Sequence, residues 1–139
     1  MKLVIDTNVV VSGLLWLGNP GRLLEAAAQR RITLYTSPWL VAELTSTLKA
    51  PKLAARVKRS GLALDELLAR YLNVAIVVQP QDPPRVARDP DDDHVLACAL
   101  AANADMIVSG DADLLTLKAH QNIPIRAPVE ALHMLGSVP

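Results

Sequence analysis

Leu3-Val4-Ile5-Asp6-Thr7-Asn8 opens the chain with three consecutive apolar residues that end on an acid. A short unbroken apolar run leaves no side for water, as in a strand buried on both faces of a parallel sheet. Met106-Ile107-Val108-Ser109-Gly110-Asp111 repeats the pattern late in the chain, again with an acid just past the run. Between the two, strand-like and helix-like segments alternate. Strands are expected at Ile32 to Tyr35 and Val74 to Val78, and Ile123-Pro124-Ile125 only as an edge strand, because Pro124 has no N–H for a ladder. Helices are expected from Asn8 to Leu15, around Leu53 to Lys58, from Leu64 to Leu72 and from Asp93 onward. Asn19-Pro20 and Ser37-Pro38 each read as a cap followed by a proline at the first helical position. Leu23, Leu24 and Ala27 would be the inner stripe of the first of these two helices, and Leu40, Leu44 and Leu48 that of the second.

Alternating β and α units predict an α/β fold, a parallel sheet between helices joined by right-handed crossovers. The 139 residues fit one domain, 1–139. The only linker-like stretch, Pro80 to Pro90, joins elements rather than domains. Half the chain is apolar, mostly Ala, Leu and Val, without a single Phe, so the core is built of small side chains. The lone Cys98 has no disulfide partner within the chain and reads as a small buried hydrophobe, in keeping with a reduced, cytoplasmic setting. The apolar run from Val9 to Leu17 is too short to span a bilayer and abuts Asp6 and Asn8, so it is not read as a targeting segment.

In a parallel α/β sheet the strands' carboxyl ends and the helices' amino ends meet in one crevice. Asp6 and Asp111 follow strands, Asp93 starts a helix and Glu43 lies early in another, so all four acids point to that crevice. Capping alone is an adequate reading of Asp6, and an ordinary amphipathic-helix glutamate of Glu43. Asp89-Pro90-Asp91-Asp92-Asp93 holds more acids than a helix start uses. Each charge pair at ~4 Å costs about 4 kcal/mol at an effective dielectric of ~20. A divalent cation is the usual compensation, which predicts a metal-dependent enzyme.

Net charge is zero but segregated. Arg22, Arg30, Arg31, Lys49, Lys52, Arg56, Lys58 and Arg59 crowd the first half, whereas eight of the acids lie between Asp82 and Asp113. A negative centre with a positive rim suits a metal site acting on a phosphate polymer, with Lys49, Lys52 and Arg56 as candidate contacts to its backbone. His94, His120 and His133 have neither ligand spacing nor a companion nucleophile and read as structural or solvated; His94, beside Asp93, is the one placed to touch a substrate. Neither G-x-x-x-x-G-K-[ST] nor G-x-G-x-x-G occurs, so nucleotide-cofactor binding has no support. Trp16, Tyr35, Trp39 and Tyr71 are expected in the core or at a dimer interface rather than in base stacking.

Leu3 to Asn8, Ser37-Pro38 leading to Glu43, Asp93-His94-Val95-Leu96-Ala97-Cys98-Ala99 and Val108-Ser109-Gly110-Asp111 together resemble the PIN-domain family, in particular its small toxin-like members related to VapC-type ribonucleases. The resemblance implies a three-layer α/β/α fold with a parallel sheet of about five strands. It implies Mg²⁺- or Mn²⁺-dependent cleavage of single-stranded RNA or exposed RNA loops, homodimerisation and a small antitoxin partner whose tail blocks the site. It carries the four family acids, as catalytic groups and metal ligands, onto Asp6, Glu43, Asp93 and Asp111. Asp93 is preferred to Asp91 or Asp92 on its spacing to Leu96-Ala97, with Asp113 as a supporting acid. Thr7, Asn8 and Ser109 resemble the polar neighbours that orient ligands and waters. The long Pro80–Pro90 loop departs from the pattern and leaves the third ligand open. Two other readings stand beside this one: a non-catalytic PIN-like binding module, and a DNA-cleaving nuclease of related chemistry.

Overall fold

Five strands pair in parallel register around the opening run, and the helices between them fall on both faces. The computed structural model describes residues 1–83, 85 and 87–136, so Pro84 and Val86 of the Pro-rich loop lie outside the described residues. The strands are β1 (Lys2–Ile5), β2 (Thr33–Thr36), β3 (Ala75–Val77), β4 (Met106–Val108), β5 (Ala119–His120) and β6 (Ile123–Arg126), in the order β3-β2-β1-β4-β6-β5. Only the two-residue β5 runs antiparallel, beside β6. β1 sits at the centre, with Leu3 opposite Leu34 on one side and Met106 on the other.

Successive residues of β1 point to opposite faces, and two cores follow from that alternation. Leu3 and Ile5 pack with α1 (Thr7–Leu15), α2 (Gly18–Ala28), α5 (Leu64–Leu72) and α8 (Pro128–Met134). Val4 packs on the other face with α6 (Pro90–Ala102) and α7 (Ala112–Leu117). α3 (Pro38–Leu48) belongs to both, since Leu40 joins the second core while Leu44 and Leu48 join the first. The expected leucine stripe of α3 is thus buried throughout. The short α4 (Ala54–Arg59) carries no buried residue.

Two expectations shift. Ile123–Ile125 is not the edge, because Ala119–His120 adds a short antiparallel strand outside it. Pro124 is tolerated there because it stands one residue ahead of the first β4–β6 pair, Ile107 with Ile125. The Asn19-Pro20 pair does not cap α2: the chain turns at Leu17 (φ 62°) and Gly18 (φ 65°), and the helix begins at Gly18. Gly13 packs tightly against α2. A Cβ there would stand 2.8 Å from Leu24 Cδ1 and 3.0 Å from the Pro20 carbonyl oxygen, so a larger residue would force the pair apart. Among the described residues, no helix is long and apolar enough to cross a membrane.

Candidate active site

At the carboxyl edge of the sheet, a cleft of about 170 Å³ is lined by Asp6, Thr7, Asn8, Glu43, Thr47, Asp89, Asp91, Asp92, Val95 and Asp111. A larger groove of about 560 Å³ runs past Gln79, Gln81, Asp82, Leu100 and Gln121, but it holds one acid and no cluster of reactive groups. The chemistry favours the smaller cleft.

Asp6 leaves β1 and caps α1, its Oδ1 accepting from Val9 N at 3.0 Å. Ser109 donates its hydroxyl to Asp6 Oδ2 and accepts from Asp111 N at 2.9 Å, so one serine ties the acids that follow β1 and β4. The backbone adds a third tie, Asp6 N donating to Val108 O at 3.0 Å. Asp6 is buried. Burial pushes its carboxyl above the ordinary aspartate value; the hydrogen bonds from Ser109 and Val9 oppose this and the Asp111 charge reinforces it.

Glu43 lies in the second turn of α3, where Thr7 donates a hydroxyl bond to its Oε1. Burial first, then the charges of Asp91, Asp6 and Asp89, push its carboxyl up, with the Thr7 bond opposing. Thr7 and Ser109 thus each fix one oxygen of one acid.

The third acid differs. Asp89 caps α6, accepting from Asp91 N at 3.0 Å, and Pro90 takes the first helical position. That start puts Asp92 at the third helical position, one turn ahead of Val95, which lines the same cleft. Asp93 is turned a further ~100° round the helix. It is buried and is not among the residues lining this cleft, and its Oδ1 accepts from Ala87 N at 2.7 Å. The structure thus gathers Asp6, Glu43 and Asp111 as the sequence pattern has them, with Asp92 rather than Asp93 as the fourth wall. Asp113 is exposed and does not line the cleft; its backbone N–H donates to Asp111 Oδ1 at 2.9 Å.

Asp92 carries the largest electrostatic strain. Its Oδ2 is buried and meets no hydrogen-bond donor among the described residues. Two ionised carboxylates cannot donate to each other, and Asp111 stands close enough that sharing would require a proton. Burial, then the Asp111 charge, push Asp92 up to about 7. Such a group is met either by protonation or by a cation.

Among the described residues, no three His, Cys, Asp or Glu side chains form a ready clasp for one ion. A tight clasp is not what Mg²⁺ requires, since it keeps several waters and takes one or two carboxylates directly. The donor set consists of hard oxygens, and the charges of Asp6 and Asp111 push neighbouring carboxyls up. Together with the orphaned Asp92 oxygen, this fits a hard divalent cation.

Lys49 and Lys52 are exposed, Lys49 two residues beyond the cleft residue Thr47. Arg56 lies instead over the ring of Trp16, 4.8 Å from its centroid. Tyr71 is in the core, whereas Trp39 and His94 are half-buried and stack on each other, a pairing that no local pattern reveals. Cys98 is buried, and burial pushes its thiol to about 12, consistent with a packing role.

A sequence model of the PIN domain matches residues 2–113. An uncharacterized protein of Methanocaldococcus jannaschii is 33% identical over 119 residues, spanning 85% of this chain and 76% of that protein. VapBC2 from Rickettsia felis, solved bound to a DNA fragment from their promoter, superposes with a TM-score of 0.62. That superposition covers 90% of this chain and 97% of the other at 16% identity, a likeness of fold.

Proposed function

The chain belongs to the PIN-domain family, whose members are generally nucleases that use divalent metal ions, and on that premise we propose that it is an endoribonuclease dependent on Mg²⁺ or Mn²⁺. The observation that carries this reading is the cleft in which Asp6, Glu43, Asp92 and Asp111 arrive from four separate elements, with burial and neighbouring acidic charge pushing the carboxyls of Asp6, Glu43 and Asp92 up. In this reading Asp6, Asp92 and Asp111 hold the ion, with Glu43 beside them. An ion held there would lower the pKa of a water and offset charge building on the phosphoryl oxygens.

The chain's own groups do the positioning. Ser109 fixes Asp6 through Oδ2 and Asp111 through its backbone, so those two acids keep their separation whether or not a substrate is present. Thr7 occupies Glu43 Oε1, which leaves Oε2 to orient the attacking water and accept its proton. The raised pKa of Glu43 makes it a better base than a solvated glutamate. Lys49 and Lys52 bind the RNA backbone outside the cleft, with Arg56 a weaker participant because it rests on Trp16.

On the same proposal the protein works in the cytoplasm as the toxin of a toxin–antitoxin pair, as a homodimer whose small antitoxin partner covers the acidic cleft. The resemblance to VapC-type members motivates that role. The test is to incubate purified protein with matched RNA and DNA strands in Mn²⁺, then in EDTA. RNA cleavage that stops with EDTA is expected. Cleavage of DNA alone would replace the substrate, and no cleavage of either strand under any divalent cation would overturn the enzyme.

A further inference from the structure

Trp39 and His94 stack with ring centroids 3.9 Å apart and planes 6° from parallel. They come from the two helices that wall the acidic cleft, α3 and α6. Trp39, Glu43 and Thr47 recur every fourth residue, so they share one side of α3, and the latter two line the cleft. Trp39 therefore continues that wall one turn toward the helix start, about 6 Å along the axis from Glu43. On α6, His94 lies between the lining residues Asp91 and Val95 in sequence. Both residues are only half-buried, whereas Leu40, next to Trp39, and Val95, next to His94, are buried.

An aromatic surface left partly open at the rim of a phosphate-cleaving site has an evident chemical complement. Every nucleobase has a π-face, and stacking on aromatic side chains is how unpaired strands are held without sequence preference. The cleft itself is acidic and would repel a bare strand, so a grip on the base rather than the phosphate is what this rim can supply. We propose that the Trp39–His94 pair is a stacking platform for an unpaired nucleobase adjacent to the phosphodiester over the acidic cleft. This rests on the nuclease reading and adds to it a requirement for bases.

The chain has two tryptophans, so a Trp16→Phe background leaves Trp39 as the sole tryptophan reporter. Its fluorescence is titrated with a short oligoribonucleotide and with an abasic ribose-phosphate strand of equal length and charge. Quenching by the first and not by the second is expected. In cleavage assays, Trp39→Ala raises KM for the oligoribonucleotide by on the order of 10-fold. The loss falls on KM more than on kcat, and Trp39→Phe recovers part of it. His94→Ala, checked for folding by circular dichroism, gives the same direction if Trp39→Ala does not fold. Equal binding of base-bearing and abasic strands by a protein that still cleaves RNA overturns the platform and leaves the nuclease standing. Absence of both cleavage and binding overturns the two together.

Discussion

The two halves of the acidic cleft are built differently. At the ends of β1 and β4, Asp6 is buried, caps a helix and takes a hydroxyl bond from Ser109, which also holds the backbone of Asp111. Across the cleft, the start of α6 presents Asp89, Asp91 and Asp92 at the end of a proline-rich loop, and the Asp92 Oδ2 has no donor among the described residues. One half is set by the sheet and its hydrogen bonds before any ligand arrives. The other is electrostatically incomplete. A site made this way holds its geometry on one side and its demand for positive charge on the other.

The largest effect should come from neutralising the fixed half. Asp6→Asn preserves the cap, since Asn caps as well as Asp, yet it removes a charge at the centre of the cleft. RNA cleavage should fall about 10²- to 10³-fold with little change in Tm, as for loss of one preorganised electrostatic group. Retained activity would break the comparison at its root. Next, Asp92→Asn and Asp93→Asn separate the neighbours on α6. The first should lose cleavage on a similar scale, whereas the second keeps an oxygen for Ala87 N and most of the activity. The opposite ranking would return the fourth place to Asp93.

Ser109→Ala tests whether the fixed half is held as described. It leaves Asp6 Oδ2 and Asp111 N without their partner and should cost about 1–3 kcal/mol in urea unfolding. An unchanged midpoint would mean that the serine is dispensable. The smallest effect concerns pH. The folded protein binds protons at Asp92 more tightly than the unfolded chain, because its pKa stands near 7 against an ordinary 3.8. Stability from this group is therefore present below the unfolded value and lost as pH rises through the folded one. In EDTA, the Tm of the unsubstituted protein should drop by a few degrees between pH 5 and pH 8 relative to Asp92→Asn. Mg²⁺ should close the gap, and a gap of the opposite sign would remove the strain argued for Asp92.

The same contrast explains what the sequence disclosed. β1 and β4 were legible because an apolar triplet ending near an acid has few other readings, and Met106–Val108 is found where it is expected. Glu43 was legible because it borders a leucine stripe that is fully buried. Asp92 was harder. Four acids in five residues offer neighbours that differ only by a rotation about the helix axis, and spacing to Leu96-Ala97 favours the wrong rotation for lining the cleft. A usable signal existed in Asp89-Pro90, the same cap-plus-proline start read correctly at Ser37-Pro38, because it fixes which residue of the first turn faces where. The β5 strand was too short to leave a pattern, so Ile123–Ile125 looked like a border. The Trp39–His94 stack joins residues from distant elements, and no local periodicity encodes such a meeting.

The central strand pairs residues near the start of the chain with residues more than a hundred positions later, Leu3 with Met106 and Ile5 with Val108. During synthesis, the ribosome must release β4 before Ser109 can reach Asp6 at all. Such long-range closure is slow compared with local helix formation. A growing polypeptide therefore carries Asp6 through roughly a hundred further residues of synthesis before the cleft can assemble.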